Sequence, residues 1–231
     1  MKTLIKNLQK LRSLERKKHH KLQHKIHRKH KISKKTLFYI KEYGPHSHVT
    51  RTIIRESFKI LLLTSLISSF GGFALEHIKL IFISIFPLII LLPALNDMIG
   101  DYSTIVSSKF STMLHEGKIR KNLRGNKELK KLFIQILIIS LITTLISAAA
   151  SLIISKFSNY KISLLLASKI FIIAILDVLA LVIILFFVSV YAGLYFYKKN
   201  EDPNNFLIPI TTSTADFGNM LLLAVLVILL F

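Results

Sequence analysis

From Ser57 onward the chain reads as a series of apolar runs long enough to cross a bilayer, and this feature constrains the fold more than any other. A hydrocarbon core of roughly 30 Å takes about 20 helical residues. Five runs meet that length, at 57–76, 78–97, 132–155, 165–197 and 209–231. In hydrocarbon every backbone N–H and C=O must be satisfied within the protein, so such runs form helices. The expected fold is an all-α polytopic membrane protein with five transmembrane helices. As a single helix the fourth run would rise about 50 Å. It must tilt, project beyond the bilayer, or break near Ser168-Lys169. The first apolar run starts too far along the chain to serve as a secretory signal.

Charge is kept apart from these runs. The 231 residues carry 32 Lys+Arg against 12 Asp+Glu, a formal net charge of +20, yet 52% of them are hydrophobic. Residues 1–55 hold 17 of the basic residues, the two acids Glu15 and Glu42, and seven of the nine histidines. So apolar a chain excludes a disordered polycation. Its long apolar runs argue against a soluble DNA-binding domain, and no nucleic-acid partner is expected. With no cysteine, disulfide frameworks, thiolate metal sites and cysteine nucleophiles are excluded. The organisation expected is a basic cytoplasmic N-terminal arm over 1–55 and a transmembrane domain over 56–231. The connection 109–131 carries eight Lys and Arg against Glu116 and Glu128. The positive-inside rule puts both basic segments in the cytoplasm, which predicts an N-in, C-out protein of the cell membrane.

Within the arm, Leu4, Leu8, Leu11 and Leu14, with Leu22 and Ile26 beyond, fall near helical spacing. That pattern reads either as an amphipathic helix lying on anionic inner-leaflet lipids or as a solvated cationic tail. His19, His20, His24, His27 and His30 read as a metal or pH site, or simply as part of a polar tail.

The chemistry lies in acids set among apolar residues. Asp97, Asp101, Asp177 and Asp216 fall at or near membrane depth. There a charged side chain costs about 2.5–3.5 kcal/mol on insertion scales, so it must line a cavity, pair with a cation or be neutral. Helical spacing places Asp97, Asp101, Thr104 and Ser108 on one stripe, preceded by Asn96, Pro87 and Pro93 and interrupted by Gly100. A second Pro-led, hydroxyl-rich segment surrounds Asp216, with Thr212, Ser213 and Asn219 on its face. Paired Pro/Gly-interrupted segments in two halves of a membrane domain point to a transport site. The bland alternative is hydrogen-bonding glue between helices. The ligands offered are all oxygens, which suits hard cations. Mg²⁺ suits them best, since it keeps several waters and uses one or two carboxylates. Asp177 lies eight residues after Lys169, a spacing at which the two can share a face and form a buried structural pair.

The stretch from Pro93 to Lys118, with its Ile-Gly-Asp-Tyr-Ser-Thr-Ile-Val-Ser-Ser-Lys-Phe-Ser-Thr core, resembles the second-helix signature of MgtE-type magnesium transporters. The Asp-Pro-x-x-Phe-x-x-Pro-x-x-Thr-x-x-x-Asp-x-x-Gly pattern from Asp202 to Gly218 resembles that family's last-helix signature. Glu56, Gly71-Gly72 and Glu76 also fit, and the pattern looks closest to the solute carrier family 41 branch in a half-size, single-repeat form. The resemblance implies a five-helix domain whose cation path is built from the second and fifth helices of a homodimer. It matches Asp216 to the family's last-helix metal ligand and Thr212 to the position one turn earlier; Asp97 and Asp101 of the second helix complete the expected metal path. Asn96, Thr104, Ser108, Ser213 and Asn219 then become candidate pore-lining residues. The family's Gly-Asn is here Gly100-Asp101, an amide replaced by a carboxylate, and Lys109 stands where an Arg is frequent. The CBS-type sensor of the bacterial form has no counterpart in the basic arm.

Divalent cation transport, rather than enzymatic chemistry, is therefore the expected function. A membrane-embedded, Mg²⁺-dependent enzyme acting on lipids would need the Asp-Gly-x-x-Ala-Arg pattern, which is missing. An intramembrane aspartyl protease would need a glycine where Met98 stands. A membrane scaffold with a lipid-binding arm would leave both polar segments unexplained.

Overall fold

The computed structural model describes residues 2–12, 21–32, 37, 49–119, 125–199 and 203–231. Within them the chain is helical, with no strand. The helices are α1 (Lys2–Arg12), α2 (Lys21–His30), α3 (Val49–His77), α4 (Lys79–Ser84), α5 (Phe86–His115), α6 (Lys127–Phe157), α7 (Leu164–Lys198) and α8 (Pro203–Leu230). Five of them, α3 and α5 to α8, are long and apolar enough to cross a membrane.

The second spanning helix differs from its sequence reading. The apolar run 78–97 is divided: its first part forms the short α4, and α5 begins at Phe86 with Pro87 in its first turn. Proline is pre-organised for that position and lacks only an N–H that would be unsatisfied there. α5 then continues through Asp97 and Asp101 to His115, so both acids sit mid-helix rather than near an end. Pro93, Gly100, Pro209 and Gly218 break the residue pattern but not the helices that contain them.

α7 likewise runs unbroken through Ser168 and Lys169. Ser163 caps it, its side chain accepting from the Leu166 N–H at 3.1 Å. At 35 residues, α7 is about 52 Å long. α6 is capped by Asn126, whose side chain accepts from the N–H groups of Glu128 and Leu129.

α5, α7 and α8 pack on one another around a core that includes Leu95, Ile99, Val106, Ile173, Ala174, Val178, Leu185, Ala215 and Leu223. α3 flanks α8, and α6 covers α5 and α7. Gly71 sets the α3–α8 distance: a Cβ there would lie 2.8 Å from the Met220 sulfur and 3.3 Å from the Phe217 Cα. Small residues at such crossings let membrane helices approach closely.

In the arm, Leu4, Leu8 and Leu11 of α1 pack with Leu22 and Ile26 of α2, and with Ile32 and Leu37, in a small core of their own. The leucine stripe is thus used inside the chain, while Ile5 of α1 stays exposed. Leu14, His19 and His20 lie outside the described residues. His27 Nδ1 bonds within the arm, to the Ile32 carbonyl at 2.7 Å.

Candidate cation site

Asp216 is the point where three helices meet. Its Oδ1 accepts from Asn96 Nδ2 of α5 at 2.9 Å, and its Oδ2 from Ser68 Oγ of α3 at 3.3 Å. Asn96 in turn accepts at Oδ1 from Asn219 Nδ2 of α8, at 3.0 Å. A carboxylate can only accept hydrogen bonds, so Asn96 must offer it the amide nitrogen. The Asn96 carbonyl is then left to accept from Asn219. Asp216 itself is half-buried, whereas Asn219 is fully buried. Asn219 thus lies within the helix interface of a single chain.

Asp97 and Asp101 stand elsewhere. A helix turns about 100° per residue, so the residue after an inward-facing Asn96 points away from α8. Asp97 and Asp101 are both exposed, as are Pro93, Ser108 and Thr112, while Thr104 is half-buried. The sequence-predicted stripe therefore exists, but on the outer face of α5. Among the described residues no three His, Asp or Glu side chains gather in a single protomer. Within one chain Asp97 and Asp101 thus stand apart from Asp216, and one residue of helical rotation is the reason.

The stripe leads into a cavity of about 430 Å³ where α5 ends and α6 begins. Ser108, Lys109, Thr112, Glu116, Lys131 and Gln135 are among its lining residues. Lys118 forms an ion pair with Glu116 at 2.7 Å, which raises the Lys118 pKa above its ordinary value.

Thr212 is half-buried, and its hydroxyl donates to its own helix at the Ile208 carbonyl, 2.8 Å away. Ser213 is buried. Pro209 has no N–H for the Asn205 carbonyl one turn earlier, and Ser57 Oγ stands 3.5 Å from that oxygen. Closer to the cavity, Ser107 Oγ lies 3.1 Å from both Ser189 Oγ and Thr211 Oγ1, a buried hydroxyl cluster joining α5, α7 and α8. Sequence reasoning missed this cluster and Ser68, because hydroxyl residues recur throughout these helices and only packing tells which of them converge.

The pairing expected of Lys169 and Asp177 is not formed. Lys169 donates to the Leu230 carbonyl and lies over the Phe231 ring at 4.5 Å. A helix C-terminus presents unsatisfied carbonyls, and these capture the ammonium instead. Asp177 is fully buried without it. Glu76 is paired with Lys79 at 2.5 Å, at the exposed end of α3.

A profile of the MgtE family, described as a divalent cation transporter, matches residues 92–226, more than half of the chain. The chain belongs to the MgtE family of divalent cation transporters. Comparison with curated proteins returns no match, and comparison with solved structures returns none. The MgtE match begins in α5 and ends in α8, so it takes in Asn96, Asp97, Asp101, Asp216 and Asn219 but not Ser68. This MgtE chain is a multi-pass membrane protein of a transporter, not an enzyme, family.

Proposed function

We propose that this protein moves Mg²⁺ across the membrane along a carboxylate path formed by α5 and α8 at the interface of a homodimer. The observation that carries the reading is the exposed Asp97–Asp101 stripe on a helix that spans the bilayer. Two carboxylates facing lipid at that depth are costly, and a second copy of the same face removes the lipid. Mg²⁺ enters such a groove with part of its water shell, held by Asp97 and Asp101 of both copies. Asp216, with Thr212 and backbone carbonyls nearby, supplies the second set of ligands. Asn96 and Ser68 position Asp216 by holding one oxygen each. The +20 charge supports an N-in orientation, with the arm and the α5–α6 connection in the cytoplasm. The basic arm then meets anionic inner-leaflet lipid chiefly through charge. We place the chain in a half-size form like the solute carrier family 41 branch, with a basic arm over 1–55 and a transport domain over 56–231.

Protein purified and sealed into liposomes should show Mg²⁺ flux that Asp216→Ala and Asp101→Ala each abolish. Normal flux in the double substitution would sink the site assignment. Lipid turnover without flux would establish the enzyme reading instead.

A further inference from the structure

The proposed path makes no use of Asp177. This acid of α7 is fully buried, and neither of its carboxyl oxygens has a hydrogen-bond partner. Its height in the bundle follows from helix register. α5 and α7 run parallel, with Ser107 beside Ser189 and Phe110 against Gly193. α8 runs antiparallel to α7, with Lys169 at Leu230 and Leu181 against Gly218. Asp177 stands one turn before that Leu181 on α7, and Asn219 follows that Gly218 on α8. Asp177 shares its buried stripe with Ala174 and Leu181, and Asn219 shares one with Ala215 and Leu223.

The same layer holds a second orphan. Asn219 Oδ1 is buried and has no hydrogen-bond partner. Its orientation is forced: the donor order runs from Asn219 to Asn96 to the carboxylate of Asp216, which leaves the Asn219 carbonyl at the inner end. An acceptor lacking a donor and a carboxyl group that becomes a donor when it binds a proton are thus buried on two packed helices, on either side of the Leu181–Gly218 contact.

We propose that Asp177 is a proton-binding site linked through the Asn219–Asn96 amide relay to the cation site at Asp216, so that binding of a proton and binding of a divalent cation oppose each other. The linkage rests on the reading of Asp216 as a cation ligand. Without a cation, the Asp177 O–H donates to Asn219 Oδ1 and the relay ends on Asp216. A divalent cation on Asp216 repels amide hydrogens, so Asn96 turns its carbonyl dipole toward the cation and its Nδ2 toward Asn219. Asn219 reverses in turn and presents an N–H to Asp177. A donor facing the carboxyl favours its ionised form. The O–H bond breaks, the electron pair stays on the oxygen, and the proton passes to water.

Among the described residues, the other charged groups on the neighbouring helices are directed elsewhere. On α7, Lys169 lies two turns away and is held by Leu230. On α5, Asp97 and Asp101 point outward, and the buried Tyr102 is bonded to Thr143 of α6. The stretch of α6 from 132 to 155 carries no charged residue. On α8 the only acid in the described residues is Asp216. A second metal ion would need several ligands here, and among the described residues no three His, Asp or Glu side chains gather. A proton is the ligand that suits one carboxyl.

The test uses the full chain in micelles, Mg²⁺ alone as the probe, a weak buffer and a pH-indicator dye. Mg²⁺ should release protons saturably, and its apparent affinity should rise with pH by up to about tenfold per unit, the limit for one proton exchanged per ion. Asp177→Asn keeps the shape of the side chain and should bind Mg²⁺ with no proton release and no pH dependence. Asp177→Leu should behave alike if the new amide disturbs folding. Asn219→Leu keeps the acid, cuts the relay and should also lose the release. In the wild type, an infrared carboxylic-acid C=O band that Mg²⁺ diminishes reads the same proton with no substitution. No release from the wild type, release that survives Asp177→Asn, or absence of that band overturns the linkage. Unaltered Mg²⁺ binding in Asp216→Ala overturns instead the cation-site reading beneath it.

Discussion

Asn96 and Asp97 are adjacent in sequence, yet they belong to two different sites. The first is tied on both sides, to Asp216 and to Asn219, and helps to close the bundle. The second is exposed and makes no hydrogen bond or ion pair with a described residue. The same contrast separates Asp216 from Asp101. One face of α5 is completed within a single chain, while the other carries two carboxylates that no described residue bonds. In water this difference would mean little, because an exposed carboxylate is simply solvated. On a spanning helix it favours that face as the partner surface of the proposed dimer.

The sharpest way to break this contrast uses the absence of native cysteine. Asp101→Cys and Ile105→Cys, on the outer face of α5, should give disulfide-linked dimers on mild oxidation in membranes, read on a non-reducing gel. Ile146→Cys, on the exposed face of α6, should stay monomeric. If only Ile146→Cys crosslinks, the partner surface has been assigned to the wrong helix.

A smaller but still large effect is expected of Asn96→Leu. It removes a donor from Asp216 and strands the buried Asn219 amide, at a cost of about 1–3 kcal/mol per unsatisfied group. A lower thermal midpoint should report it. Asp97→Asn with Asp101→Asn should leave the thermal midpoint of the bundle unlowered, because neither acid bonds a described residue, while Mg²⁺ flux falls. Equal destabilisation of the two faces would erase the distinction. Gly71→Ala should push α3 from α8 at a cost of about 1–3 kcal/mol, the range for overpacking. Ser68→Ala removes one donor of the two on Asp216 and should cost about 0.5–1.5 kcal/mol, less than Asn96→Leu. A Ser68→Ala effect larger than that of Asn96→Leu would show that α3, not α5, holds the acid.

The five spanning helices were legible because each carries a long apolar run, and hydropathy needs no knowledge of neighbours. The limits of the second were not. From Asn96 to Thr112 polar residues are frequent, and a hydropathy reading hands them to a loop although they form the inner and outer faces of one helix. Asp216 and its hydroxyl-rich segment were legible from spacing. The partners of Asp216 were only half legible: Asn96 and Asn219 stood out as amides in apolar runs, but Ser68 is one of several serines in α3. Spacing placed Lys169 and Asp177 on a common face, yet it cannot show that the end of another helix reaches Lys169 first. The period of leucines in the arm was equally plain, and the surface those leucines face was not.

The length of α7 has a further consequence. Tilted by 30°, a helix of about 52 Å still spans about 45 Å along the membrane normal, well beyond the roughly 30 Å of hydrocarbon. Tyr191, Tyr195, Phe196 and Tyr197 cluster toward its final turns, with Phe196 stacked on Phe206 of α8 at 4.3 Å. Such aromatic girdles settle at the boundary between headgroups and acyl chains. Bilayer thickness is therefore a mechanical variable for this protein: thinner membranes must tilt α7 further, and α8 with it, so acyl-chain length should act on the carboxylate site without touching it.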